Sequence, residues 1–337
     1  MDPTAGPARA RLVRLRPDVD DPVARTARWA HELLDQGFLD LPLPGRGATP
    51  DRLAALRDIG AVDLDLARLT EAHTDAVAVH ADLGVGAPRP GLWGVWAANP
   101  PTAPLTATRS DGGWVLDGTK PWCSGAGACD HALVTARTDD GYRLFAVDLE
   151  GATPVDGTWP SLALPGSDSR SVRFENHPAD AVGGPEEYLA RPGFWHGAVG
   201  VAAVWVGGAA GVAGALVTAH ARRPLHVHAL AHVGAVDAAL AAAGCLLQDA
   251  GRQADADPGD AAGTARLTAA RVRAVAERTA AEVVDRVGRA LGPAPLALDP
   301  DHARRVADLQ LYVRQSHAER DLEEHGTAVL AEGTVPW

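Results

Sequence analysis

Lysine is almost absent from this chain: Lys120 stands alone among 337 residues, and arginine carries the remaining positive charge. Aromatic residues are scarce at 5%, so the core must be built mainly from the Ala-, Val- and Leu-rich 46% of the sequence that is hydrophobic. Such small apolar residues suit closely packed helices. Positive charge is in deficit overall, with a net charge of −12, which excludes an extended nucleic-acid surface. Three cysteines, Cys123, Cys129 and Cys245, are an odd number without metal-ligand spacing. They exclude a complete disulfide framework and a cysteine zinc site, and point to a reduced, cytoplasmic protein. The N-terminus is rich in Pro, Asp and Arg and lacks the apolar core of a signal peptide. The most apolar run, 198–218, is rich in Gly and Ala and followed by Arg and His, which predicts a buried bundle helix and no membrane partner. P-loop, Rossmann and serine-elbow motifs are all missing.

What is present centres on 113–137, GWVLDGTKPWCSGAGACDHALVTAR. The spacing predicts a short strand over 114–116, a turn at Asp117-Gly118, and a second strand over 120–123. On that strand Lys120, Trp122 and Ser124 share one face, and Pro121 and Cys123 the other. The loop 125–129 holds only Gly, Ala and a Cys, and 132–136 forms a third, buried strand. A Trp and a Ser two apart beside such a loop can frame a flat aromatic ligand. The Trp would stack while the hydroxyl and backbone N–H groups bond ring heteroatoms. The same Trp can equally fill a barrel core.

Residues 1–20 read as disordered or extended, followed by helices over 21–37, 50–60 and 63–83. Between 84 and 185 the hydrophobic period shifts to two. It predicts strands over 92–96, 105–110, 114–116, 120–123, 132–136, 142–148 and 171–174, a small barrel or sandwich. Four long helices follow over 194–221, 226–253, 262–291 and 301–325. The expectation is an α+β chain of three parts: an N-terminal helical domain (1–85), a middle β-barrel domain (86–185) and a C-terminal four-helix bundle (186–337). His226, His228 and His232 have H-x-H-x3-H spacing but no carboxylate or cysteine beside them, so no metal site is predicted.

The G-x-K-x-W-x-S pattern at Gly118, Lys120, Trp122 and Ser124 resembles the flavin-contacting segment of the acyl-CoA dehydrogenase superfamily. The order of helical part, β part and bundle resembles it too, as do 58–78, 165–174 and 308–312. The resemblance implies FAD, with Trp122, Cys123, Ser124 and Trp96 (or Asn99) along the flavin. Arg222 and Arg223 stand where the family's Arg-x-Phe-Gly meets the diphosphate, although Phe-Gly is missing. Arg289 and Gly292 stand at the family's Gln-x-x-Gly-Gly, where Pro293 removes one N–H. The family's catalytic glutamate falls near 315–317, where no carboxylate occurs. His317, or His196 on the first bundle helix, is the substitute base. A Glu-Gly-Thr at 332–334 reads as coincidence. The resemblance therefore implies a flavin-dependent oxidoreductase acting on an acyl thioester or related small substrate, assembled as a homodimer or homotetramer. A monooxygenase on the same fold, or a silent binding subunit, are the alternatives.

Overall fold

A computed structural model describes residues 6–99 and 104–331. Within the stretch expected to be disordered or extended lies α1 (Pro7–Arg14), started by Pro7 in the first turn. Its Leu12 is buried, and Arg9 Nε holds Asp58 Oδ1 at 2.8 Å. Next come α2 (Pro22–Asp35), α3 (Thr49–Val62) and α4 (Leu64–Asp82). Asp21 caps α2 by accepting from Ala24 N–H, and Asp63 caps α4 by accepting from Leu66 N–H.

Among the described residues seven strands follow: β1 (Trp93–Trp96), β2 (Thr106–Ser110), β3 (Gly113–Lys120), β4 (His131–Thr138), β5 (Gly141–Asp148), β6 (Thr153–Val155) and β7 (Ser171–Val182). The pairings β4–β2, β2–β3, β3–β7, β7–β5 and β5–β4 close a small barrel. Parallel β1 lies along β4, and β6 along β7. Ala107, Leu116, Val134, Phe145 and Phe174 fill the barrel.

Two sequence expectations fail here, each for its own reason. Asp117-Gly118 is not a turn, because β3 runs unbroken to Lys120 against β7. Gly118, at φ 122°, absorbs a bulge in the ladder between Leu116 and Gly118. The strand expected over 120–123 does not exist, because Pro121 has no N–H to continue the pairing and the chain leaves the sheet there.

The chain returns to helix with α5 (Glu187–Ala190), α6 (Pro192–Arg222), α7 (Val227–Ala256), α8 (Ala265–Leu291), α9 (Ala294–Leu298), α10 (Pro300–Tyr312) and α11 (Glu319–Ala331). The single helix expected over 301–325 is thus broken. Ser316, His317 and Ala318 leave the helical path, with Ala318 at φ 50°. Ser316 Oγ turns to Glu277 Oε2 at 2.6 Å, and Asp321 accepts from His317 N–H at 3.0 Å. One apolar core unites α2–α4 with α6, α8 and α10, through residues such as Trp29, Leu56, Leu66, Val204, Val283 and Leu309. A second cluster of Ala76, Val79, Trp93, Leu133, Leu144 and Val182 fastens α4 to the barrel. By length and hydropathy both α6 and α7 match membrane spans. The apolar window of α6 is 72% buried within the fold, that of α7 only 22%.

Candidate functional site

Beyond Lys120 the chain forms a loop from Pro121 to Asp130, stitched to a second loop over 164–170. Cys123 N–H donates to Arg170 O, Gly125 N–H to Ser167 O, Ala126 N–H to Asp168 O, and Gly127 N–H to Asp168 Oδ2 at 2.8 Å. Asp168 is in turn held by Arg170 Nε at 2.7 Å. Three non-glycine residues of this pair of loops, Trp122, Leu164 and Asp168, sit at positive φ (57°, 50° and 44°). Such conformations are uncommon outside glycine and persist where surroundings fix them. Their consequence is that the Trp122 indole projects 60% exposed from a rigid loop.

The residues expected beside Trp122 are placed differently. Lys120 is 1% exposed and points into the barrel, not along the face of Trp122. Its Nζ donates to Asn99 Oδ1, Thr135 O and Thr135 Oγ1 at 2.8, 2.6 and 2.8 Å, and burial lowers its pKa to about 7. Ser124 is buried, its hydroxyl bonded to Arg68 Nε (2.9 Å) and Ser169 Oγ (2.8 Å). Cys123 is fully buried, and desolvation raises its thiol pKa, so neither its side chain nor its N–H is open to a ligand. Trp96 is also buried in the barrel, donating Nε1–H to Ser124 O at 2.9 Å, and offers no exposed face. The corrections at Lys120, Cys123 and Ser124 follow from the absent second strand, since without a pleat the alternation of faces has no meaning, whereas Trp96 is buried by its own place on β1 beside β4.

The bundle residues divide among three places. His317 lines a cavity of about 460 Å³ between α4, α6, α8 and α11. Its Nδ1 lies 3.1 Å from Asp321 Oδ1. His196 lies elsewhere, in a pocket of about 30 Å³ beside Asp257 and Asp260, where burial lowers its pKa. The helix turns roughly 100° between neighbours, so Gly197 faces the larger cavity while His196 does not. The two histidines are not one site. Arg222 joins Leu291, at the end of α8, in an open groove of about 720 Å³ rimmed by Arg9 and Arg305. Arg223 is exposed as the C-cap of α6, and Arg289 is exposed and ion-paired with Asp285 at 3.4 Å. Gly292 is needed for the positive φ of the α8 C-cap, 70°, and no atom lies within 4 Å of where its Cβ would be. That explains the glycine without a ligand. The Glu332-Gly-Thr motif lies outside the described residues.

Sequence reasoning missed the acidic wall of the large cavity. Glu71 and Asp75, one turn apart on α4, both face it, opposite Tyr188, Phe194 and Trp195. Desolvation raises both carboxyl pKa values; the charge of Asp75 raises Glu71 further, and that of Asp82 raises Asp75 against Arg191 and Arg52. Their signal was the i, i+4 carboxylate pair in TEAHTD, set among Leu69, Ala72 and Ala76 on a helix buried over most of its length. Arg68 ties this wall to the Trp122 loop: its Nη1 lies 3.7 Å from Glu71 Oε2, while its Nε meets Ser124.

Residues 97–177 match the acyl-CoA dehydrogenase middle-domain family. No curated protein sequence matches the chain. Among solved structures it is similar to KijD3 in complex with FMN and dTDP-3-amino-2,3,6-trideoxy-4-keto-3-methyl-D-glucose, at 22% identity and TM-score 0.78, covering 98% of this chain and 95% of that one. It is similar to TdsC from Paenibacillus sp. A11-2 with FMN and indole, at 18% identity and TM-score 0.80, covering 96% of both. It is also similar to the methanesulfinate monooxygenase MsuC from Pseudomonas fluorescens, at 19% identity and TM-score 0.79, covering 98% and 97%.

Against a flavin, the Trp122 edge fits in one respect and not in another. An exposed indole on a fixed loop is a stacking platform for a planar ring. The N–H groups from Cys123 to Cys129 and the Ser124 hydroxyl are all satisfied within the protein, so donors to a flavin's polar edge must come from other segments. Barrel, flanking helices and bundle occur in the order and shape of these structures: the chain has the acyl-CoA dehydrogenase-like fold, and its residues 97–177 match that family's middle domain.

Proposed function

We propose that this protein is a flavin-dependent monooxygenase that uses FMN supplied in reduced form by a separate reductase. The observation that carries the reading is the Trp122 indole, held outward by a loop whose own polar groups are spent on holding it. The flavin would supply the oxygen-activating redox chemistry when bound. The chain's part is to stack the ring, exclude water and place a substrate in the neighbouring cavity. FMN fits better than the FAD implied by the family resemblance. Arg222-Arg-Pro-Leu225 and Gly292-Pro293 have lost the features that would serve the adenine half, and Gly292 is explained by its helix cap. KijD3 and TdsC both hold FMN. The monooxygenase reading also needs no α-proton base at 315–317, where this chain has Gln, Ser and His.

One observation favours dehydrogenation of an acyl thioester as a second reading. Glu71 is a cavity carboxylate whose raised pKa suits proton abstraction. Stopped-flow spectroscopy separates the two. Reoxidation of protein-bound reduced FMN by oxygen, coupled to substrate oxygenation, supports the first; anaerobic bleaching of oxidised flavin by an acyl thioester supports the second. A protein that retains no flavin from an FMN or FAD excess ends both. The exposed Leu230, Ala231, Ala238 and Ala241 along α7 suit a second copy of the chain, and the protein is proposed to act as a homo-oligomer. Sedimentation at micromolar concentration would show a single monomeric species if that is wrong.

A further inference from the structure

Glu71 is 5% exposed and faces the cavity, yet accepts no hydrogen bond among the described residues; its nearest cation is Arg68 Nη1 at 3.7 Å. Asp75 Oδ1 is buried and also without a partner. It lies under Gly197, where a Cβ would come within 2.7 Å of it. The guanidinium groups whose fields reach Asp75 are engaged elsewhere: Arg191 Nη1 with Asp82 Oδ2 at 2.5 Å, and Arg52 Nη1 with Pro42 O at 3.2 Å. The remaining cations of the cavity are also occupied. Arg266 and Arg320 share Glu324 at 3.3 and 3.4 Å, and Arg273 donates to Gln315 O at 3.2 Å. Glu277 is met by Arg314 and Ser316, and Asp321 by His317.

The unmet demand in this cavity is therefore for positive charge and hydrogen-bond donors. A buried, unpaired carboxylate is costly, and a ligand that neutralises it recovers that cost on binding. Opposite the acids stand Tyr188, Phe194 and Trp195, packed edge to face with centroid separations of 5.6 and 5.1 Å. Trp195 already has Arg266 over its ring at 5.6 Å, so its face accepts a cation. No group of three His, Cys, Asp or Glu among the described residues is arranged for a metal ion, and the apolar walls do not suit one.

We infer that this cavity binds a substrate bearing a basic amine, its ammonium group seated between Glu71 and Asp75 and its apolar body against the Tyr188–Phe194–Trp195 wall. An anionic or neutral molecule of the same shape leaves Asp75 without a partner and Glu71 with Arg68 at 3.7 Å alone. The inference deepens the monooxygenase reading in treating the cavity as the substrate site, but recognition itself needs no flavin.

The test is isothermal titration of the purified protein near pH 7.5 with three probes of one size: 2-phenylethylamine, 2-phenylethanol and 3-phenylpropionate. The expected result is that the amine binds about tenfold or more tightly than the alcohol, and that the carboxylate is weakest. Asp75→Asn reduces the preference to within about twofold, and Glu71→Gln weakens it in part. Gly197→Val serves as a second variant, keeping both carboxylates in the chain while its side chain fills the space over Asp75 and pushes that carboxylate aside, blocking the amine. Equal binding of amine and alcohol, preference for the carboxylate, or no binding of the amine at about 10 mM overturns the inference, as does undiminished preference in Asp75→Asn. Flavin content is read separately from absorbance. Absent flavin with amine preference intact counts against the monooxygenase alone, and the reverse result against the amine site alone.

Discussion

Arg68 donates from Nε to Ser124 Oγ at 2.9 Å, joining helix α4 to the loop that presents Trp122. The contact separates two roles that the sequence places two residues apart. Ser124 secures the loop from within, through Arg68 and through Ser169, which continues to Ser167 at 2.9 Å. Trp122 faces out.

Substitution should expose that division. Ser124→Ala leaves a buried guanidinium short of an acceptor and is expected to destabilise the fold by about 1–3 kcal/mol, read by urea unfolding. Trp122→Ala removes a mostly exposed ring, so its effect on stability should stay within ~1 kcal/mol, while flavin affinity drops about tenfold or more. Unchanged flavin affinity in Trp122→Ala would remove the stacking platform from the site.

Much of this architecture was legible in the sequence, because α2, α3, α4, β4 and β5 carry unbroken periodicity between clear caps and turns. What was not legible depended on partners distant in the chain. Asp117-Gly118 has the composition of a turn, but pairing with β7 overrides it and turns Gly118 into a bulge. The break after Tyr312 is set by Glu277 drawing Ser316 aside, a tertiary contact that local pattern does not contain. The side chains of the Lys, Trp and Ser of the 118–124 motif, expected on one face, point in different directions: Lys120 into the barrel, Trp122 outward and Ser124 toward Arg68. Glu71 and Asp75 looked like ordinary helix charges until α6 and α8 closed over them.

The contact between α3 and α6 relies on glycine. A Cβ on Gly60 would lie 2.5 Å from Val204 O, a backbone atom that cannot move without displacing α6. Gly60→Ala is therefore expected to destabilise the protein by about 2–3 kcal/mol, despite the better helix propensity of alanine. Gly288→Ala, with nothing within 4 Å of its Cβ, is the control and should be neutral or slightly stabilising. Equal melting temperatures for the two variants would contradict this packing.

Stability should fall as pH rises through mild acid. Asp308 Oδ1 accepts from Leu164 N–H at 2.6 Å, tying α10 to the loop over 164–170. Burial raises its carboxyl pKa to about 6, against the fields of Arg304 and Arg305 and with that of Asp63. Nearby Asp65 is raised as well, by burial first and then by Asp63 and Asp308, against Arg304. A carboxyl raised on folding binds its proton more tightly in the folded chain. Its penalty is absent below the unfolded pKa near 4 and fully present above the folded value. Between pH 4 and 6, Asp308 should thus withdraw up to ~3 kcal/mol as pH increases. Asp308→Asn keeps an acceptor for Leu164 and should reduce that slope in urea unfolding series, with Asp65 supplying the remainder. An identical slope in the variant would show that Asp308 titrates normally.

His317 is the one sequence-derived base that lies on the large cavity, and its side chain is 69% exposed with Asp321 beside it. An exposed histidine in an irregular turn contributes little to the core, so His317→Ala should leave stability within ~0.5 kcal/mol. If it moves protons at a bound flavin or substrate, its loss should slow reoxidation of protein-bound reduced FMN by about 10²-fold, a typical effect of removing a general acid or base. Asp321→Asn, which keeps the ring in place through a neutral acceptor, should slow it less. Flavin affinity should be the same in all three proteins. A wild-type reoxidation rate in His317→Ala would leave the imidazole as a wall of the cavity and direct the search for the proton-transfer group to Glu71, the buried acid across from it.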